Sequence, residues 1–188
     1  MNSTKQQMEI RTFWEGQYLK TVEQNILTFG KELIVEGFIT GLDQNRVALN
    51  VHYAMSLSSD WHLISASIVK NGTDLFSILK SDGKWIVNNQ ERSDLADCVF
   101  IDINISPFTN SLPINQLDFS KSAEHKIKVV FVDVLQPEVD LSNQRYTWLD
   151  DTHYTYKNLD SGFTRTIEVD RLGLVVAYPG IWKRLHSI

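Results

Sequence analysis

Arg46-Val47-Ala48-Leu49-Asn50-Val51-His52-Tyr53-Ala54-Met55-Ser56-Leu57 alternates without a break. Val47, Leu49, Val51, Tyr53, Met55 and Leu57 take one side; Arg46, Ala48, Asn50, His52, Ala54 and Ser56 take the other. Side chains of an extended chain point to opposite faces in turn, so a period of two marks a strand with one buried face.

The alternation repeats outward from this stretch. Leu33 to Thr40 precedes it and ends at Gly41, while Leu63 to Lys70, Leu75 to Lys80 and Lys84 to Val87 follow it. Asn71-Gly72 and Asp82-Gly83 separate those three runs. Such dipeptides accept positive φ and close tight hairpins, so an antiparallel meander is predicted. Farther on, Cys98 to Ile105 sets Val99, Ile101, Ile103 and Ile105 against Cys98, Phe100, Asp102 and Asn104. Ile127 to Val134 is apolar on both faces in its second half, the sign of a strand covered on both sides. Arg145 to Leu149, Tyr154 to Asn158, Phe163 to Asp170 and Leu174 to Tyr178 bring the total to about a dozen strands. The one helical candidate is a short turn near Ile114 to Leu117, just after Pro113. An all-β barrel, roll or curved sandwich is expected. No linker rich in Pro, Gly or Ser divides the chain, so one β domain over residues 1–188 is expected.

Composition narrows the function classes. The chain has 188 residues, 43% of them hydrophobic and 22% charged, with a net charge of −5. That acidic balance argues against nucleic acid, whose phosphates call for surplus Lys and Arg. Cys98 stands alone, so an intrachain disulfide and four-Cys zinc sites are excluded. His52, His62, His125, His153 and His186 are scattered without metal-ligand spacing. Met1 to Ile10 is polar and carries no secretory signal. Gly173 to Trp182, the longest apolar-leaning stretch, is interrupted by Pro179 and falls short of the roughly 20 residues of a membrane helix. A cytoplasmic protein without an integral membrane segment is expected. Nucleophile elbows, zinc-protease motifs and phosphate-binding Gly loops are absent, so no catalytic residue, metal or cofactor is expected.

Ser106-Pro107-Phe108-Thr109-Asn110-Ser111-Leu112-Pro113-Ile114 stands out from the strands. Its two prolines fix φ and push Ser106 and Leu112 away from helical geometry. Thr109, Asn110 and Ser111 supply side chains able to bond nearby backbone. The segment follows a strand on which Asp102 and Asn104 alternate with apolar residues. A self-capped connection is one reading; a rigid rim or floor of a ligand cavity, with Asp102 and Asn110 as polar anchors, is the other. Trp61, Trp85, Tyr146, Trp148, Tyr154 and Tyr156 fall on or beside predicted strands. If the strands on either side of Asp150-Asp151 pair, Tyr146, Trp148, Tyr154 and Tyr156 form an aromatic ladder, either as hairpin packing or as a ligand wall.

This segment resembles the bacterial family called putative glycolipid-binding proteins. The family signature runs close to Gly-Cys-x-Asp-x-Asp-Leu-x-x-Thr-Pro-Phe-Thr-Asn-Thr-Leu-Pro-Ile-Arg-Arg-Leu. Here it is matched from Asp97-Cys98 through Asp102-Ile103 and Ser106 to Ile114, and by Leu117. Trp14, Glu23, Asp60-Trp61, Asp82-Gly83-Lys84-Trp85, Gln144-Arg145-Tyr146, Asp170, Gly173-Leu174-Val175 and Tyr178-Pro179-Gly180 look like further family positions in the right order. Phe100 replaces the family's first Asp, Asp97 its Gly, and Asn115-Gln116 its Arg-Arg. An anion site built on those charges in relatives would be partly lost here.

The resemblance implies a single many-stranded antiparallel β-roll or split barrel, like the lipoprotein-carrier folds. It also implies non-enzymatic binding of an amphipathic small molecule such as a glycolipid. The residue reading and the resemblance together give a candidate ligand set: Asp102, Thr109, Asn110, Trp61, Trp85, Gln144, Tyr146, Tyr154, Glu23 and Tyr178. Two other readings stay open, a structural or protein-interaction module and a hydrolase using Asp102 with Glu23 on a sugar or lipid ester. Neither ligand identity nor oligomeric state is written in the sequence.

Overall fold

In the computed structural model, which describes residues 8–188, the chain opens with a meander. Its strands are β1 (Met8–Gly16), β2 (Lys20–Phe29), β3 (Leu33–Leu42), β4 (Ala48–Leu57), β5 (Leu63–Lys70), β6 (Thr73–Ser81), β7 (Lys84–Val87) and β8 (Gln90–Glu91). The part of the N-terminal stretch up to residue 7 lies outside the described residues. On β4 the alternation holds, since Leu49, Val51, Tyr53, Met55 and Leu57 are buried. The predicted hairpin turns form at Asn71-Gly72 and Asp82-Gly83, with both residues of each pair at positive φ. Asn88-Asn89 makes a third such turn between β7 and β8.

After a 3-10 turn at Ser93–Leu95 come β9 (Phe100–Ile103), a second 3-10 turn at Phe108–Asn110 and the short helix α1 (Ser111–Gln116). A second meander follows: β10 (Glu124–Asp133), β11 (Glu138–Asp150), β12 (His153–Asn158), β13 (Thr164–Val169), β14 (Val175–Tyr178) and β15 (Trp182–Ser187). All fifteen strands lie in one sheet of order β8-β7-β6-β5-β4-β3-β2-β1-β15-β14-β13-β12-β11-β10-β9. The last strand therefore pairs with the first and welds the two meanders together. Every pairing is antiparallel except β9 with β10. A parallel pair needs a crossover between its strands, and here the segment bearing α1 supplies it.

The sequence reading missed four strands, β1, β2, β15 and the two-residue β8. β1 and β2 mix polar and apolar residues on both faces, and Thr12, Thr21, Glu23 and Asn25 point into the core. Trp182-Lys183-Arg184 belongs to the seam strand β15, with Trp182 buried. β11 also runs well beyond the predicted Arg145 to Leu149.

The sheet curls without closing into a barrel. Register shifts at Phe13/Trp14, Ser56/Leu57, Ile68/Val69, Trp148/Asp150 and Glu168/Val169 add twist along its length. Side chains rather than a backbone ladder join the two ends. Lys80 Nζ donates to Val99 O at 3.0 Å, Trp85 Nε1 to Cys98 O at 3.0 Å, and Lys70 Nζ to Val134 O at 2.9 Å. These donors bond carbonyls just before β9 and just after β10. Near the seam, Trp14 Nε1 donates to Val175 O at 2.8 Å. Asp170 accepts from the Leu172 and Leu174 amides and pairs with Arg184 at 2.6 Å, fixing the β13–β14 turn against β15.

The double-proline segment, open to reading as a self-capped connection or as the rim or floor of a cavity, is buried at every residue from 105 to 114. The segment fills the inside of the roll. Its polar groups survive there because most are bonded internally: the Phe108 amide donates to Ser106 Oγ and Asn110 Nδ2 to Pro107 O. Ile105, Phe108, Leu112 and Ile114 supply the apolar contacts.

Candidate ligand-binding site

Asp102 enters the interior from β9 because the pleat turns it away from Ile101 and Ile103, both buried. Its Oδ1 accepts from Thr109 Oγ1 at 3.0 Å and its Oδ2 from Gln144 Nε2 at 2.7 Å. Burial raises its pKa, and the bonds from Gln144 and Thr109 oppose that rise. One turn into the interior segment, Asn110 Oδ1 accepts from the Tyr146 hydroxyl at 2.9 Å. Gln144 and Tyr146 share the inward face of β11, so one strand braces both Asp102 and Asn110.

In front of these groups lies a cavity of about 300 Å³. Asp102, Asn104, Ser106 and Asn110 form its polar side. Tyr156, Phe163, Tyr178 and Trp182 form an aromatic side, while Tyr18 and Ser161 come from turns. Tyr156, Phe163 and Tyr178 touch one another with ring centroids 6.2–6.4 Å apart. Tyr146 packs edge-on behind Tyr156 at 5.4 Å. Tyr178 is 5% exposed, and its hydroxyl has no hydrogen-bond partner among the described residues. Two wider depressions, of about 470 and 560 Å³, lie along β4–β6 beside the exposed Ile34 and Leu79, and beside Lys126 and Lys128 on β10. Neither combines a half-buried carboxylate with an aromatic wall.

The expected ladder forms, with Tyr146 opposite Tyr156 and Trp148 opposite Tyr154. Only its Tyr156 end borders the cavity. Tyr154 instead meets Phe119 edge-on at 5.0 Å. Of the candidate set, Asp102, Asn110 and Tyr178 line the space, and Thr109, Gln144 and Tyr146 hold the first two in place. Trp85 is sealed in the core with its indole committed to Cys98 O. Trp61 sits in the β4–β5 turn at φ 64°, a costly conformation for a bulky residue, and stacks on Phe108 at 6.4 Å. It covers the interior segment rather than the cavity. Tyr156, Phe163, Ser161 and Trp182 were absent from the candidate set; for Tyr156 the period-two link to Tyr154 was the available signal.

Glu23 is also apart from the cavity. It is 0% exposed, and Oε1 accepts from Ser106 Oγ at 2.7 Å, from the Tyr53 hydroxyl at 2.7 Å and from the Asn25 amide. Its Oε2 has no partner among the described residues. Burial pushes its pKa up to about 7 against the bonds from Ser106, Tyr53 and Asn25. Glu23 is not among the residues that line the Asp102 cavity. The positions that differ from the family signature are likewise outside the cavity lining. Asn115 donates to Ser111 O and Leu172 O, Gln116 to Asp60 O, and Phe100 is core. Asp97 pairs with Lys128 at 2.7 Å.

Among the described residues no cluster of three or more His, Cys, Asp and Glu side chains is set to hold a metal. His52 stacks on Phe38 at 4.7 Å. Burial raises the Cys98 thiol to about 11, which suits a core residue. No described helix is long and apolar enough to cross a membrane.

An open roll with a filled interior and one polar–aromatic cavity defines a class of β proteins, and the comparisons give the family. Residues 11–184 match the family model described as "Putative glycolipid-binding", and the chain belongs to that family. The crystal structure of a DUF1089 family protein from Pseudomonas aeruginosa is similar, with a TM-score of 0.76 and 29% identity over 87% of this chain and 92% of that one. No curated protein matches.

Proposed function

We propose that this protein binds the polar end of an amphipathic small molecule, such as a glycolipid, in the Asp102–Tyr178 cavity, and does so without turnover. The observation that carries this reading is the pairing of a braced carboxylate with an aromatic wall whose Tyr178 hydroxyl is uncommitted. Hydrogen bonds orient a head group, and flat rings give its C–H faces and the start of an acyl chain a surface to cover. The family description supports a binding role in the same direction.

A panel of n-octyl glycosides, titrated below their micelle concentrations and followed by amide spectra, tests this. Saturable shifts at Phe163, Tyr178 and Trp182 are expected. Ser161→Trp, which puts an indole at the cavity from an exposed turn residue, is expected to remove them. Absence of any saturable shift, or shifts unchanged in Ser161→Trp, overturns the reading.

A further inference from the structure

We infer that the cavity selects an uncharged, polyhydroxylated head group and turns away anionic ones. This rests on the binding reading above and adds the chemical class of the ligand. The lining contains no Lys, Arg or His, and its one charged residue is Asp102. An anion placed there would lose water beside a carboxylate with no counter-charge in the wall.

The hydrogen-bonding capacity of the wall points the same way. Each Asp102 oxygen accepts one internal bond and keeps a lone pair for another. Tyr178 has its hydroxyl hydrogen to give. Asn110 Nδ2 spends one hydrogen on Pro107 O and has a second. Ser161 Oγ accepts from the Phe163 amide and is still free to donate. Donors and acceptors therefore sit together within one small space. A hydroxyl both donates and accepts, whereas a phosphate or carboxylate only accepts and a quaternary ammonium does neither. A quaternary ammonium would leave these polar groups unpaired. The rings also argue against it, because Tyr156, Phe163 and Tyr178 pack on one another as a single wall instead of enclosing a cage. Arg165 stands over the Phe163 ring at 4.9 Å, but it is exposed, donates to Thr164 O and is outside the lining.

Three probes with one chain length separate the possibilities: n-octyl β-D-glucoside, n-octyl β-D-glucuronide and octyltrimethylammonium, each titrated with shifts read at Phe163 and Tyr178. The glucoside is expected to bind at least about tenfold more tightly than either charged probe. Tyr178→Phe breaks no internal hydrogen bond and is expected to weaken the glucoside several-fold. Asp102→Asn is expected to narrow the gap between glucoside and glucuronide. If the glucuronide or the ammonium probe binds this cavity as well as the glucoside, the selectivity inference fails while the binding reading stands. If no probe perturbs the cavity, the binding reading itself fails.

Discussion

Glu23 on β2, between Val22 and Gln24, and Asp102 on β9, between Ile101 and Ile103, are both carboxylates carried into the roll. Around Glu23 the protein closes completely. Tyr53 reaches it across β3 because the row Asn25–Gly37–Tyr53 places a glycine under the phenol ring. A Cβ at Gly37 would lie 2.1 Å from that ring. The Glu23, Tyr53 and Ser106 oxygens form a triangle with edges of 2.7, 2.7 and 2.9 Å. Tyr53 and Ser106 bring one hydroxyl hydrogen each to it, and a protonated Glu23 brings a third, so this site accommodates a proton. Around Asp102 each oxygen has its own donor, and one side opens to the cavity. A carboxylate closed in on all sides ties the interior segment to the sheet; one with an open side is placed to meet a ligand.

The largest expected effect breaks the closed site. Gly37→Ala drives a methyl group into the Tyr53 ring and displaces its hydroxyl, for an expected loss of roughly 3–5 kcal/mol in urea unfolding. A midpoint equal to that of the parent would show that Tyr53 does not depend on the glycine.

Next comes pH. Between pH 4.5 and about 7 native Glu23 holds a proton that the unfolded chain has released, so stability falls as pH rises through this window. The total is roughly 3 kcal/mol, with no further change above the window. Glu23→Gln is expected to flatten that slope in unfolding curves taken at successive pH values. Asp102 is shifted in the same direction and leaves a residual slope of the same sign, starting near its ordinary value of 3.8. Asp118 and Asp150, exposed and held down to about 2 by Lys121 and by the Thr152 amide, contribute stability that is lost only as pH falls below the window. A slope unchanged in Glu23→Gln would assign the effect elsewhere.

Gln144→Leu sharpens the comparison from the other side. It strips Oδ2 of its donor and is expected to cost about 2 kcal/mol while raising the Asp102 pKa further, readable from the side-chain carboxyl ¹³C shift. An unmoved Asp102 titration would mean that Gln144 does not brace it. Tyr178→Phe is the smallest, within about 0.5 kcal/mol in stability, since its hydroxyl supports nothing internal. A larger loss in the melting curve would make Tyr178 structural.

What could be read in advance follows the range of each signal. β5 and β7 match their predicted ends, because Asn-Gly and Asp-Gly turns and a strict period of two are local properties. β2 stayed unread because its inward positions include Thr21, Glu23 and Asn25, the last two partnered by Tyr53 and Ser106 far along the chain. The double-proline segment was recognised as rigid and polar, but its place inside the roll was not. Of the candidate residues, Asp102, Asn110 and Tyr178 meet at the cavity, while Trp61 and Trp85 were chosen for ring chemistry that packing uses elsewhere.

The amino-acid order alone determined that this chain forms strands, where many of them turn, and that Asp102 lies in an apolar run. Backbone geometry and side-chain alternation act over a few residues, so they leave a direct trace in the sequence. Only the tertiary structure decided that β15 joins β1, that residues 105–114 fill the centre, and that Glu23 is sealed while Asp102 faces open space. Those outcomes depend on which distant strands meet and whether a side chain there completes a hydrogen bond, and no local pattern carries that information.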